Sequence, residues 1–417
     1  MTQEFELLCA RVASHFSDEV PGKIGVAVSG GSDSLALLIL LADWSSQGGP
    51  AVFAATVDHG LRAESTDEAA YVSKICAGLG VPHATLNWHK KEISGNLQDS
   101  ARRARYDLLA KWAQDKQLET VAIAHTLDDV AETFVMRLAR DAGIDGLAAM
   151  KESWRHGSVR FVRPALALSR SDLQRELRSR QITWIDDPSN EDDRHERART
   201  RKALSKLDDL GICSHTLART AHRMAEVRRT LYHYVCLAAK DIVTFHQGDA
   251  FLDAEGFHAL APDIARRLLQ EILLWISGAS YPPRGHALNL LLDAIRGGTG
   301  MTLHGCIITN DGDRLHLTRE ASAVADEICF RNEIWDGRWR IDGPGPARAE
   351  VRYLGSKGLA LCPDWRDSGM SLHSLKASPA VWIGEQLIAA PLADLGEGWT
   401  AELLRDEDHF FAHVLTH

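Results

Sequence analysis

Ile24-Gly25-Val26-Ala27-Val28-Ser29-Gly30-Gly31-Ser32-Asp33-Ser34 decides how this chain folds. The first five residues are a short apolar run with β-branched members, the pattern of a buried strand. The next six are small or polar, and Leu35 to Trp44 then supplies an apolar stretch of helical length. Strand, turn and helix in that order put the turn at a helix N-terminus. Two glycines let the backbone approach an anion without interference from Cβ atoms. The first helical N–H groups are unpaired, and three serine hydroxyls add donors. The lysine of a G-x-x-x-x-G-K-[ST] loop is absent, and so is the G-x-G-x-x-G spacing of dinucleotide folds. The plain alternative is a Gly/Ser turn with Ser or Asp capping the helix.

Working outward, Val52 to Val57, His83 to Trp88 and Thr120 to Ala124 read as further strands. Ser65 to Leu79, Asn96 to Lys116 and Asp129 to Leu138 read as helices. Strands separated by helices imply crossover connections and a parallel sheet. Farther on, Ser214 to Ala239 and Ile264 to Ile276 read as long helices, with no strand assigned between them. Cys306 to Thr309 and Arg314 to Leu317, joined through Asn310-Asp311-Gly312, read as a hairpin. Gly and Pro concentrate from Asp342 to Pro346, the composition of a linker. The expected fold class is α/β. A Rossmann-like parallel sheet carries the loop in residues 1–205, a mainly helical domain occupies 206–318, and a small α+β domain occupies 319–417.

Composition narrows the class. A chain of 417 residues exceeds one hydrophobic core. A net charge of -10 argues against indiscriminate nucleic-acid binding, although residues 151–202 hold 13 Lys/Arg against 9 Asp/Glu. No run approaches the ~20 apolar residues of a membrane span. The start lacks the basic-then-apolar order of a secretion signal. A cytoplasmic protein without a membrane partner is expected. Cys9, Cys76, Cys213, Cys236, Cys306, Cys329 and Cys362 are scattered, with no C-x-x-C pair. They read as thiols in a reducing compartment rather than metal ligands.

The run Ser29 to Ser34, SGGSDS, resembles the signature of the PP-loop ATP pyrophosphatases. The resemblance implies that ATP is split between its α and β phosphates and that an adenylated intermediate forms. It implies that Ser29, Gly30, Gly31, Ser32, Asp33 and Ser34 grip the pyrophosphate, with Asp33 contacting Mg²⁺ or capping the helix. Four further motifs narrow the match: Val57-Asp58-His59-Gly60-Leu61-Arg62, Ala101-Arg102-Arg103-Ala104-Arg105-Tyr106, His125-Thr126-Leu127-Asp128-Asp129-Val130-Ala131-Glu132-Thr133, and Asp187-Pro188-Ser189-Asn190 with Asp192. Together these look like the tRNA(Ile)-lysidine synthetase family. The likeness is firm from Val28 to about Arg201 and holds only in outline beyond.

That resemblance implies transfer of AMP to the wobble cytidine of a CAU-anticodon isoleucine tRNA, followed by attack of free L-lysine. Asp58 and His59 then contact ATP or adenine. Arg102 and Arg105 share a helix face and serve the α-phosphate or the tRNA, a solvated face being the alternative. Asp129 and Glu132 offer carboxylates to the lysine ammonium, and one of them a proton acceptor. Asp128 suits a helix N-cap beside them, and His125 a nucleotide or substrate contact. Arg163, Arg170, Arg197, Arg199 and Arg201 would follow anticodon stem-loop phosphates, each with a surface-arginine alternative. Trp184 stacks a base or packs in the core. The C-terminal module would bind tRNA, and the chain would be a monomer or a homodimer.

Two departures stand out. Asp141-Ala142 replaces the family's Gly-Ser, and Ala198 replaces an asparagine after Arg197. A thiolase or amidotransferase of the same superfamily is one rival reading, disfavoured by the lack of paired cysteines near the loop. A non-catalytic nucleotide-dependent tRNA-binding protein is another, disfavoured by the intact loop and acids.

Overall fold

Strand β1 (Lys23–Ala27) is the centre of the first sheet. The computed structural model describes residues 3–415 apart from 18, 59, 61–64, 89–96, 187–193, 195, 280, 332 and 347. The chain divides into two compact units, Met1–Val227 and Arg228–His417. The expected boundary between 318 and 319 falls inside the second.

In the first unit, helix α1 (Gln3–Ser14) precedes β1, and α2 (Ser32–Ser46) follows it. Then come β2 (Ala51–Asp58), α3 (Ser65–Gly78), β3 (His83–Asn87), α4 (Leu97–Asp115) and β4 (Thr120–Ile123). Helices α5 (Leu127–Leu138) and α6 (Ile144–Leu147) lead to a hairpin of β5 (Ser153–His156) and β6 (Val159–Val162). Helices α7 (Arg170–Ser179) and α8 (Glu196–Asp208) follow. The sheet order is β3-β2-β1-β4-β6-β5, parallel except where β5 meets β6.

Strand alternation sorts side chains to two cores. Ile24 and Val26 pack with Leu35, Leu38 and Leu41 of α2, whereas Ala27, Val121 and Ile123 pack with Leu109 and Trp112 of α4. Both faces of β1 are therefore covered by helices, which is why its sequence is apolar throughout rather than alternating. Helix α2 is buried continuously from Ser34 to Leu41, and each such aliphatic side chain contributes about 1.5–3 kcal/mol by leaving water. Successive strands run outward from β1 to β3, then restart at β4 on β1's other side. This topological switch leaves a crevice at the carboxyl ends of β1 and β4.

Helix α9 (Ser214–Ile242) crosses the division between the units. The second unit holds the expected helix as α11 (Pro262–Ser277), together with two helices not expected from the sequence, α10 (Ala254–Ala259) and α12 (Gly285–Arg296). It also holds a five-stranded antiparallel sheet. Three of its strands, Met301–Leu303, Cys306–Asn310 and Arg314–Arg319, contain the expected hairpin. The other two, Val243–His246 and Asp249–Asp253, lie where no strand was expected. Gln247 and Gly248 join them with φ of 47° and 81°, a two-residue turn of the mirror-image kind that matches strand twist. Glutamine at its first position hides the turn.

Two smaller sheets fill the C-terminal part, whose core contains Trp335, Trp382 and Trp399. The stretch from Asp342 to Pro346 is not a loose linker. A Cβ on Gly343 would stand 2.3 Å from the Trp399 ring, so the glycine serves close packing. Arg331 donates hydrogen bonds to the carbonyls of Gly343 and Gly345 at 2.8 Å each. The seven cysteines are free, five of them buried. Among the described residues no helix is long and apolar enough to cross a membrane.

Candidate active site

Gly31 caps α2 without a side-chain bond, so the first N–H groups of that helix carry no side-chain partner at the mouth of the crevice. This settles one alternative, since neither Ser nor Asp caps this helix. The loop is tied from within. The Ser34 hydroxyl donates to the Gly31 carbonyl (3.0 Å) and accepts from the Ser29 N–H (3.1 Å). Gly30 sits at φ 88°, a conformation that disfavours any side chain. Its carbonyl accepts from the Ile185 N–H at 3.0 Å, so the segment before Asp187 straps the loop. Trp184 in this strap packs against the core, and its indole N–H donates to Asp186 at 2.8 Å.

A cavity of about 690 Å³ opens over the loop. Ser29, Gly31, Ser32, Asp33 and Ser34 line it together with Arg105, His125, Asp129, Arg197 and Arg201. Ten residues expected at the site from four separate segments thus converge. Gln174, Lys202 and Ala198 line it as well. Ala198 is where the family asparagine is missing, so the amide is absent from the cavity wall itself. Arg105, which lines the cavity, has no hydrogen-bond or ion-pair partner among the described residues, and burial lowers its pKa.

The acids are set by α5. Thr126, not Asp128, is its N-cap. Asp129 stands at the third helical position, and its Oδ2 accepts from the Thr126 N–H (2.9 Å) and hydroxyl (3.0 Å). Asp128 is one position too early to reach back. Its carboxylate instead accepts the Arg170 backbone N–H at 2.7 Å. Glu132, one turn on, is 1% exposed and faces a second cavity of about 480 Å³ shared with Asp128, Arg170 and Arg201. Arg201 donates to both Glu132 oxygens, at 2.6 and 3.4 Å. Arg197 approaches Asp129 Oδ1 at 3.7 Å.

Arg170, grouped by sequence with the arginines of a tRNA-facing surface, lies inside the site. Its Nε donates to Asp33 Oδ2 at 3.0 Å, its Nη1 to Glu132 Oε1 at 3.2 Å, and its Nη2 stands 3.6 Å from Asp129 Oδ1. The local sequence fixes its position on a helix, though not its partners. Ser169 accepts from the Asp172 N–H at 3.1 Å, so Ser169-Arg170-Ser171-Asp172 starts a helix and fixes Arg170 at its first position. Burial disfavours the Arg170 cation, but the carboxylates of Asp33, Asp129 and Glu132 outweigh this and raise its pKa above the ordinary value. Burial also raises the Asp33 carboxyl, an effect that Arg170 only partly offsets. Burial pushes Asp129 upward too, yet Arg170, His125, the Thr126 N–H and Arg197 hold it below the usual range.

Arg163 is 8% exposed, with its guanidinium 4.0 Å from the Trp154 ring centroid. Its Nε donates to His125 Nδ1 at 3.0 Å, and it also donates to the Lys151 carbonyl. Burial, then the Arg163 charge, pushes His125 down to about 3. The imidazole is therefore neutral near pH 7, and because Nδ1 accepts, Nε2 carries the proton. Arg199 is exposed and donates to the Arg194 carbonyl at 3.2 Å. Arg102 lies 5.6 Å from the Tyr106 ring centroid, and Asp58 accepts from the Gly60 N–H at 2.8 Å. Neither is among the described residues lining the loop cavity. His59, Leu61, Arg62, Asp187 to Asn190 and Asp192 lie outside the described residues.

Residues 6–207 match the PP-loop domain family. A tRNA(Ile)-lysidine synthase of Ruegeria pomeroyi is 48% identical over 410 residues, spanning 98% of each chain. One from Wolbachia pipientis wMel is 35% identical over 400 residues, covering 93% of this chain and 92% of its own. A third, from a Wolbachia of Brugia malayi, is 34% identical and covers 76% of each. The chain belongs to the tRNA(Ile)-lysidine synthase family, with a PP-loop domain as its ATP-using part.

Proposed function

We propose that this enzyme joins free L-lysine to C2 of the wobble cytidine of a CAU-anticodon tRNA(Ile), through a cytidine activated by AMP transfer. One observation carries the reading. A single cavity joins a helix start without a side-chain cap, an Arg105 with no partner among the described residues, and Asp129, with Glu132 one turn behind. Activation is needed because the C2 oxygen of cytidine is a poor leaving group. The loop N–H groups receive the pyrophosphate, and Arg105 stabilises charge growing at the α-phosphate. The neutral His125 donates from Nε2 to a substrate oxygen, and Arg163 holds its ring. Asp129 and Glu132 receive the lysine ammonium, and one of them takes the proton that the attacking amine loses. Asp58 and His59 serve the adenine side. Arg102, Arg197 and Arg201 meet tRNA or nucleotide phosphates, with Asp128 holding the Arg170 backbone.

The loop suits Mg²⁺ delivered with ATP. Asp33 offers one carboxylate oxygen beside the phosphate cradle, and Mg²⁺ commonly takes only one or two protein carboxylates with phosphates and water. No group of three or more His, Cys, Asp or Glu among the described residues forms a cage of its own. When bound, the ion screens the phosphate charge. The enzyme acts in the cytoplasm, as a monomer or homodimer, with residues 319–417 contributing tRNA contacts.

The activation step has its own test. With ATP labelled at the α-phosphate and lysine withheld, label transfers to the tRNA. Label that stays with free nucleotide while pyrophosphate is released contradicts a tRNA-borne intermediate.

A further inference from the structure

We propose that Arg170 is a positioning residue that stands in, within the empty site, for the positive charges the reactants bring. Three carboxylates from two elements, Asp33 of α2 and Asp129 and Glu132 of α5, gather around its one guanidinium within 3.0 to 3.6 Å. They are 18%, 8% and 1% exposed at the side chain, so water does little to separate them. Without a cation between them they would repel across a partly dry site. Arg197 and Arg201 relieve Asp129 and Glu132, but Arg170 is the ion-pair partner of Asp33 among the described residues.

The backbone holds this cation in register. Arg170 opens α7, its N–H is one of the donors a helix start leaves unpaired, and Asp128 of α5 accepts it. The guanidinium therefore cannot shift along α7 without breaking the link to the acids' own helix. Its fork reaches toward the loop through Nε and toward α5 through Nη1 and Nη2.

The inference rests on the reading given under Proposed function, in which Mg²⁺ meets Asp33 and the lysine ammonium meets Asp129 and Glu132. Each incoming cation displaces one arm of the same guanidinium. Arg170, released from its carboxylates, then has the ATP phosphates as its remaining counter-charge within the cavity it lines. The carboxylates of the empty site are thus kept together, and metal without nucleotide binds weakly because Arg170 already occupies the Asp33 carboxylate.

The test is metal binding by the full-length enzyme without nucleotide, with Mn²⁺ as a spectroscopic probe. Arg170→Gln should bind Mn²⁺ roughly tenfold more tightly than wild type, because a competing cation is gone. Arg170→Lys, which keeps the charge, should return the affinity towards wild type. Asp33→Asn added to Arg170→Gln should erase the gain. Lysine incorporation by Arg170→Gln should fall in kcat without a matching rise in the KM for lysine. A folded Arg170→Gln protein whose Mn²⁺ affinity is unchanged or weaker overturns the proposal. Should that variant not fold, the Arg170 Nε–H resonance of the wild type serves instead. It should shift when Mg²⁺ and a non-hydrolysable ATP analogue are added together, and an unmoved resonance overturns the proposal. Failure of wild-type enzyme to incorporate lysine would count against the function and leave the Mn²⁺ comparison intact.

Discussion

Asp33 occupies the second position of an uncapped helix whose N–H groups face the cavity. Asp33→Ala removes the carboxylate while sparing the backbone donors. Pyrophosphate release should fall by about 100-fold or more, as for loss of one preorganised charge-stabilising group, and near-normal release in a phosphate-coupled assay would dismiss the assignment. His125 gives a pH signature. Its folded pKa of about 3 lies below the ordinary 6.5, so the unfolded chain takes up a proton that the folded chain refuses. This contribution to stability is complete above the unfolded value and is lost as pH falls from about 6.5 toward 3, by up to ~1.4 kcal/mol per pH unit. Urea unfolding between pH 6.5 and 5 should show that slope, and His125→Gln should flatten it. Asp141 holds φ 56° where the family has glycine. Asp141→Gly should raise stability by about 0.5–1 kcal/mol by relieving left-handed backbone strain; a loss would show that the Asp141 side chain contributes more than the strain it causes. At this scale Ser29 to Ser34 were legible because six adjacent residues fit one task. Arg170 was not, because its partners lie 137 and 38 residues away and no local pattern joins them.

Elements translate these residues into a site. The four expected strands of the first sheet formed because apolar β-branched runs bounded by turns have few other uses. The β5–β6 hairpin escaped notice because Trp154, Arg155 and His156 alternate too weakly with their neighbours over strands of four residues. The expected cap at Asp128 failed by two positions, with Thr126 at the cap donating its N–H and hydroxyl to Asp129 instead. The strap over the loop makes an element-level prediction. A Cβ on Gly30 would stand 2.6 Å from Ile185 Cδ1, at a φ that resists side chains. Gly30→Ala should cost about 1–2 kcal/mol in stability and raise the KM for ATP. Adding Ile185→Ala should recover the part due to contact and leave the part due to φ. Full recovery in the double variant would show that backbone conformation carries no cost there.

At the scale of the molecule, the end of the chain packs with the helical part of the second unit, while residues 324–399 also form a core of their own. Phe410 and Val414, near the C-terminus, are fully buried in a core with Leu268, Ile272 and Leu315. Phe410 lies 4.9 Å from the Phe245 ring centroid, and the Ser374 hydroxyl donates to Asp249. A fragment of residues 319–417 should therefore remain unfolded by circular dichroism and amide dispersion, while 228–417 folds; a cooperative transition in the shorter fragment would restore the three-part division. The sequence could not reveal this shared core, because periodicity marks which residues are buried but not which elements bury them together. Lysine transfer is measured directly by incubating the enzyme with ATP, Mg²⁺, radiolabelled lysine and unmodified CAU-anticodon tRNA(Ile). Lysine should become bound to that tRNA, dependent on ATP and absent with methionine tRNA. Pyrophosphate release without lysine incorporation would contradict this transfer and point to another nucleophile, such as ammonia or a sulfur donor.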